Sequence, residues 1–580
     1  MEREIRLADL LNQQEIRGDI LKFDSSRYYD HKEVESIVQS WAASRAEIVK
    51  LYSIGETHQG RPIWVLEISA PTEVSNDEKP GFFIDANTHA EEITGTTAAL
   101  QIASALIDGY GDDEAVTYLL EDTTFYIVPR LNPDGAEIVL TQPFYEHIGN
   151  GRYRPEDIQV GPGLHYADVN GDGIIVDMRI PDPKGEWKVS KKDPRVMVQR
   201  EPHETGGEYY RILPEGYIED YDGAEISIPR PRDGNLNRQY PYGWGPEGDE
   251  YGAGAYPTSE PEAQAIVRFH ESHPNIAGAL NFHTNGGLLL PPTHIAGEPM
   301  PLSDSFVIRQ IGKMGEKAMG YPLIESEEDF NFPGAHHRMG TATDYLYGQR
   351  GIINCVVEFW DVIKECGIEK TSLFPLAARS EEDNLKLLKW SDEKLDGNGF
   401  MAWTPFEHPQ LGAVEIGGWR RLYMFRNPPE GDYLRRICEN ITVFALQFSG
   451  TLPRIGVEDL AVIDKGEGVF KIEVNVVNEG FLPTYLTRRA VDIQAARTVT
   501  ASLSLPDGME LVSGMERIDL GHLEGRSERS KRYSRFLDWG VTARRAEWLI
   551  RVVTPLKNED YPILHVESQK AGSIHRSIRL

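Results

Sequence analysis

His89 and Glu92 stand three residues apart in DANTHAEEITG, residues 85–95. Gly81, Phe82, Phe83 and Ile84 just before them read as a short buried strand, and an apolar-periodic run opens at Glu92, so the pair falls in a strand-to-helix turn. Open α/β sheets place their chemistry at such turns. An imidazole nitrogen and a carboxylate oxygen aimed at one point from there would supply two of the three protein ligands that a catalytic Zn²⁺ takes. The spacing alone also suits an exposed turn with a capping glutamate, because HxxE is a common string.

Two later strand ends carry residues of the same kind. NIAGALNF, residues 275–282, is a strand-like apolar run that delivers His283 into the turn Thr284, Asn285, Gly286 and Gly287. A single histidine so placed is ordinarily a polar residue satisfied by its neighbours. GIINCVV, residues 351–357, is continuously apolar, hence a central buried strand, and it ends on Glu358. A carboxylate there is costly unless it is paired or kept neutral. It is either half of an ion pair with an arginine or a general base tuned toward neutrality by burial. In DVNGDG, Asp168, Asn170 and Asp172 take the first, third and fifth positions of a calcium loop. Position twelve falls on Arg179, where an EF-hand needs a bidentate glutamate, so a complete EF-hand is excluded. What remains is a Ca²⁺ clip closed by a distant acid or a hairpin rich in Asx turns.

Composition bounds what these residues can serve. A chain of 580 residues is too long for one core, and its 40% hydrophobic content is ample for several packed units. The formal charge of -31, from 91 acidic against 60 basic residues, argues against a general role on nucleic acid or anionic membrane. Cys355, Cys366 and Cys438 are too few and too scattered for a disulfide framework or a CxxC metal clip, and read as buried thiols. The charged N-terminus lacks an apolar h-region and no run reaches the length of a membrane span, so the expected location is the cytoplasm.

Several elements must position the three strand ends. Residues 34–48 space their apolar side chains as an amphipathic helix does, and IGETHQGRPIWVLEIS after them alternates around a Gly-rich turn as a hairpin. A helix follows the HxxE turn to about Ile107, and the strand TTFYIV then runs into PRLNPDG. This alternation predicts an α/β fold, a mixed and mostly parallel sheet flanked by helices. Residues 136–233, rich in Gly, Pro and charge, read as an insertion of loops and short strands without a core of its own. Residues 381–389 read as a charged helix, GNGFMAWTPFEHPQLGAVEIGG as a Gly/Pro/aromatic loop, and residues 429–446 as a further helix. Beyond Pro453 the period becomes two, as in Phe470, Ile472, Val474 and Val476, which predicts an all-β sandwich domain.

The order GETHQGRPIWVLEIS, NTHAEE, VPRLNPDG resembles the start of the catalytic domain of the carboxypeptidase A/B family of zinc metallocarboxypeptidases, and GTATDYLYGQRGI resembles that family's approach to its catalytic strand. The resemblance implies that His89, Glu92 and His283 bind Zn²⁺ and that Glu358 is the catalytic base. NLNRQY, residues 235–240, is similar to the motif whose asparagine and arginine clamp the free α-carboxylate of the substrate, which puts those roles on Asn237 and Arg238. A planar guanidinium suits that task better than an ammonium. Asn235 stands where the family usually has an aspartate that orients a zinc-bound histidine, and a neutral amide polarises imidazole less. Gln239 replaces the usual second asparagine. The family's electrophilic arginine, which polarises the scissile carbonyl, is assigned to Arg179, with Arg154, Arg195 and Arg200 as competitors. Thr343 falls at the base of the specificity pocket, where its lack of charge argues against strict preference for basic or acidic C-terminal residues. His336 falls in the place of the mobile tyrosine.

The resemblance thus implies a zinc-dependent carboxypeptidase acting on peptides with a free C-terminal carboxylate. It divides the chain into an N-terminal extension (1–23), a catalytic domain (24–381, with the insertion 136–233), a helical and loop connector (382–453) and a β-sandwich (454–580). Two other readings keep the same residues. One is a zinc amidase, deacylase or cell-wall-peptide peptidase with the same triad, and the other a non-catalytic binding protein on the same fold.

Overall fold

Runs that are apolar on both faces end up covered on both faces. The computed structural model describes residues 23–223, 226–232, 234–292, 300–324, 338–369, 379–529, 541–554 and 561–580. Seven strands form the central sheet: β1 (Val49–Glu56), β2 (Pro62–Ile68), β3 (Gly81–Ala86), β4 (Thr124–Val128), β5 (Ile276–Thr284), β6 (Leu288–Leu290) and β7 (Ile353–Phe359). Their order across the sheet is β1-β2-β4-β3-β5-β7-β6. The inner strands β4, β3, β5 and β7 run parallel, and the outer pairs are antiparallel. Every residue of β3, β4 and β5 is buried, which is why these strands read as continuous apolar runs rather than alternating ones.

Helix α1 (His31–Ser44) opens on Asp30, which accepts the Glu33 N–H while the Glu33 side chain returns to the Asp30 N–H. Helix α2 (Thr94–Gly109) is buried except for Asp108, because β3 and β5 lie on one side and the helix Asp432–Ser449 on the other. Phe82 of β3 meets Phe448 of that later helix edge to face, with ring centroids 5.1 Å apart. The end of the connector is therefore part of the same core as the sheet. No described helix is long and apolar enough to cross a membrane.

Connectivity creates the crevice. From β3 the chain works outward to β4, with β2 and β1 beyond, whereas β5 leads the other way to β7 and β6. The C-terminal ends of β3 and β5 therefore separate at a topological switch point, where open α/β sheets take ligands.

The insertion and connector depart from expectation. The stretch read as a Gly/Pro/aromatic loop is a hairpin, Phe400–His408 against Gly412–Trp419, in which Pro405 and the glycines hid the alternation. Its second strand pairs with Asp177–Pro181 of the insertion, and the two regions share a six-stranded sheet. Leu164, Val176, Met178, Ile218, Val414 and Ile416 fill a small core there. The insertion thus owns a core only jointly with the connector.

Two four-stranded sheets after residue 454 pack Val474, Val499, Trp548, Ile550 and Val566 between them, as the period-two pattern predicted. This sandwich is anchored to the first domain by Arg454 on Asp122 (2.7 Å) and by Thr487 Oγ1, which donates to the Gly351 carbonyl (2.8 Å). Gly351, at φ 66°, leaves no room for a Cβ because Ala490 presses on it. The buried Lys570 reaches from a sandwich turn to the Ile276 carbonyl at the start of β5 (2.7 Å). Burial, aided by Arg350, pushes this amine down to about 7. Since the folded value lies below the unfolded one of 10.5, the unfolded state binds more protons between them, and stability rises over that interval. The rise should be missing from the Tm-against-pH curve of Lys570→Met; curves for the two proteins that stay parallel would show that the amine does not titrate in the fold.

Candidate active site

The chain leaves β3 through Asn87, at φ 58°, a left-handed conformation that asparagine tolerates. Its side-chain amide donates to the carbonyls of His89 (2.7 Å) and Ala90 (3.1 Å), which closes the turn. Asn132 braces it from one side by donating to the Thr88 and Gly149 carbonyls. Asn427 braces it from the other: its oxygen accepts from the Thr94 N–H and hydroxyl, and its Nδ2 donates to the Glu91 carbonyl (2.7 Å). Three fully buried amide groups thus fix a loop that has no regular structure of its own.

That loop aims His89 and Glu92 at the end of β5. His89 Nδ1 lies 2.8 Å from Glu92 Oε1, His283 Nδ1 lies 2.8 Å from Glu92 Oε2, and the two Nδ1 atoms are 3.3 Å apart. On the far side of the ring, His89 Nε2 is 3.1 Å from Asn235 Oδ1, an oxygen that also accepts the Asn237 N–H at 3.0 Å. Nε2 therefore carries a proton, which in the neutral ring leaves Nδ1 to present its lone pair to the cluster. Ring nitrogens and carboxylate oxygens converging within 4.8 Å need a proton or a metal cation between them. Two imidazole nitrogens and one carboxylate fit the open, three-ligand sites of Zn²⁺. Burial works to raise Glu92, but positive charge on the two imidazoles, or on a cation in their place, holds it well below the usual carboxylate range.

Asn235 Oδ1 thus stands as the acceptor that faces His89 Nε2, in the place of the family's aspartate. Asn235→Ala should weaken zinc binding by about 10–100-fold, read by chelator competition. Unchanged affinity would show that the amide does not orient His89.

Glu358 lies beside this cluster. It is the register partner of His283 in the β5–β7 pair and opens toward the cleft between buried Val357 and Phe359. Burial, with the charge of Glu92, pushes its carboxyl up out of the usual range, while His283, Arg338 and Arg426 pull it back. Trp360, two residues after Glu358, sits at φ 62°, a second strained position at the same rim.

Asn237, Arg238 and Thr343 share one corner. Asn237 Oδ1 accepts the Ala342 N–H (2.9 Å), and the Arg238 guanidinium donates to the Asn237 carbonyl (2.7 Å) and pairs with Glu250. The Thr343 hydroxyl donates to Asn354 Oδ1 of β7. His336 lies outside the described residues.

Two expectations are overturned. Arg179 does not stand where the electrophilic arginine is needed: its strand pairs with the hairpin, its guanidinium lies on Glu415 (2.7 Å), the Pro194 carbonyl (3.2 Å) and the Trp403 ring, and it is not among the charges that bear on Glu92 and Glu358. Calcium at Asp168, Asn170 and Asp172 is not supported. Asp168 accepts the Gly171, Asp172 and Gly173 N–H groups and Asp172 accepts that of Ile174, so the loop is a set of Asx turns.

Arg426 was missed. It pairs with Glu91 (2.8 Å), the residue before zinc ligand candidate Glu92, and its charge bears on Glu92 and Glu358. No motif surrounds it; only its place in the turn before the helix Asp432–Ser449, which the sequence could not relate to the sheet, brings it here. Also unforeseen is a group of His58, Glu260 and Glu262, in which Glu260 binds His58 (2.7 Å), Asn150 (2.7 Å) and Arg152 (3.1 Å) beside Gly234, the residue before Asn235.

A family model described as zinc carboxypeptidase matches residues 34–378, and residues 454–579 match a domain of unknown function. Carboxypeptidase M of Mus musculus is 31% identical over 132 residues, 23% of this chain and 30% of that protein. Carboxypeptidase D of Drosophila melanogaster is 30% identical over 200 residues, 34% of this chain and 13% of that protein. The alignments thus span well under half of either relative. Among solved structures, thrombin activatable fibrinolysis inhibitor aligns with a TM-score of 0.44 at 16% identity, over 76% of this chain and 79% of that one.

Proposed function

Because the chain belongs to the zinc carboxypeptidase family, we propose that it hydrolyses the last peptide bond of substrates with a free C-terminal carboxylate. The observation that carries this reading is the convergence of His89, Glu92 and His283 from two strand ends, with Glu358 registered beside them. Zn²⁺ held by those three residues would lower the pKa of a water molecule toward neutrality.

Glu358 takes a proton from the attacking water and returns it to the departing amine. Its raised proton affinity suits both halves of that task, since an ordinary carboxylate would give up the proton too readily. Arg238, held by Glu250, pairs with the terminal carboxylate, and Asn237 keeps the segment that carries Thr343 against it. This anchor lets only the last peptide bond reach Glu358. Arg426 takes the place Arg179 cannot fill, as the cation able to stabilise negative charge growing on the scissile carbonyl.

The test is turnover of one peptide against its C-terminal amide, followed by mass spectrometry. The free peptide should lose single residues and the amide should be inert. Equal cleavage of both would refute the exopeptidase reading and favour an amidase on the same triad.

A further inference from the structure

The cleft does not stop at the zinc site. A cavity of about 220 Å³ begins beside it, bounded there by Glu91, Asn285 and Arg426. Glu91 precedes Glu92 and Asn285 is two residues after His283, so this end adjoins the reacting groups. A second cavity, of about 340 Å³, lies against Trp187, Phe400 and Trp403. Tyr145, Arg379, Trp419 and Arg421 wall both, so the two form one trough. Its outer wall is the hairpin Phe400–Trp419, which lies beyond the matched family domain.

The cations of the trough are not alike. Arg421 is spent on Glu146 (3.0 Å) and Asp177 (3.6 Å), Arg195 on Asp193 and Asp392, and Arg426 on Glu91. Arg379 has no carboxylate within ion-pair distance among the described residues. Its guanidinium sits over the Phe425 ring, 4.6 Å from the centroid, an arrangement that leaves edge N–H donors for a planar acceptor. Burial and the charge of Arg421 both disfavour its cation and Asp383 alone favours it, so an anion held between the two arginines would be welcome there.

We propose that this trough binds the part of a peptide upstream of the cleaved bond, and that Arg379 recognises an acidic side chain there, with Trp419 and Phe425 as apolar platforms. The proposal rests on the carboxypeptidase reading and adds a substrate class to it: peptides acidic at a fixed distance before the C-terminus. In a protein of net charge -31 such substrates are otherwise repelled, so a dedicated cation is needed to hold them.

The experiment uses the zinc-loaded full chain and peptides of five residues with one C-terminal pair, carrying Glu or Gln at each upstream position in turn, with an N-acyl dipeptide as control. At one position kcat/KM for Glu should exceed that for Gln by about tenfold. The ratio should fall to about one in Arg379→Gln and be partly kept in Arg379→Lys. A ratio of one at every position, or a preference that survives Arg379→Gln, overturns the proposal. Failure to cleave the dipeptide would instead sink the carboxypeptidase reading; calorimetric affinities of the same Glu and Gln peptides for wild type and Arg379→Gln then decide the trough independently, by the same ratios.

Discussion

Glu358→Gln is expected to lose about 10²–10⁴-fold in kcat/KM while keeping its zinc, because glutamine preserves the shape of the side chain but cannot accept the proton of the attacking water. Glu358 is not among the three residues that converge as ligands, so metal content, read by atomic absorption, should stay at the wild-type level. Loss of metal together with activity would make Glu358 a ligand instead; activity within a fewfold of wild type would remove it as the base. The pH profile gives the same group a second signature. Burial and Glu92 raise its pKa and a bound cation lowers it, so the acid limb of kcat/KM should lie between the ordinary glutamate range and neutrality, with activity lost as pH falls. Removing Arg426, whose charge favours the ionised form, should move that limb to higher pH.

Arg238→Ala should cost about 10²–10³-fold in kcat/KM on free-carboxylate peptides and narrow the gap between free and amidated substrates, since truncating one partner of a desolvated charge pair costs about 2–5 kcal/mol. Glu250 and the Asn237 carbonyl already fix the guanidinium, so little ordering cost remains to be met when substrate arrives. Arg238→Lys should recover only part of this, because a point charge cannot reproduce the forked contact. An unchanged ratio of free to amidated turnover in Arg238→Ala would place carboxylate recognition elsewhere, with the neighbouring Arg338 the first residue to examine.

The central strands were legible because burial on both faces leaves a nearly unbroken apolar run, and each run stops where a polar side chain is needed. That placed His283 and Glu358 at strand ends, while their roles as ligand and base were implied only by the resemblance to the metallocarboxypeptidases. The hairpin Phe400–Trp419 was not, because Pro405 and its glycines look like loop and its partner strand lies more than two hundred residues away in the insertion. Arg179 lies between DVNGDG and Pro181 in sequence, yet its environment is set by Glu415 across a strand pair. The acidic loop Asp168–Asp172 offered oxygens in calcium order, but nearby backbone N–H groups took them first. Arg426 and Asn427 carry no motif at all; their role appears only once the turn before the helix Asp432–Ser449 is seen packed against Glu91 and Thr94.

Anomalous diffraction at the zinc edge, from crystals of the full chain grown with zinc, tests the central claim most directly. The expected map has one peak bonded to His89 Nδ1, Glu92 and His283 Nδ1, with the Glu358 carboxylate facing it but outside bonding distance. A peak elsewhere, or one ligated by Glu358 in place of Glu92, would contradict the account.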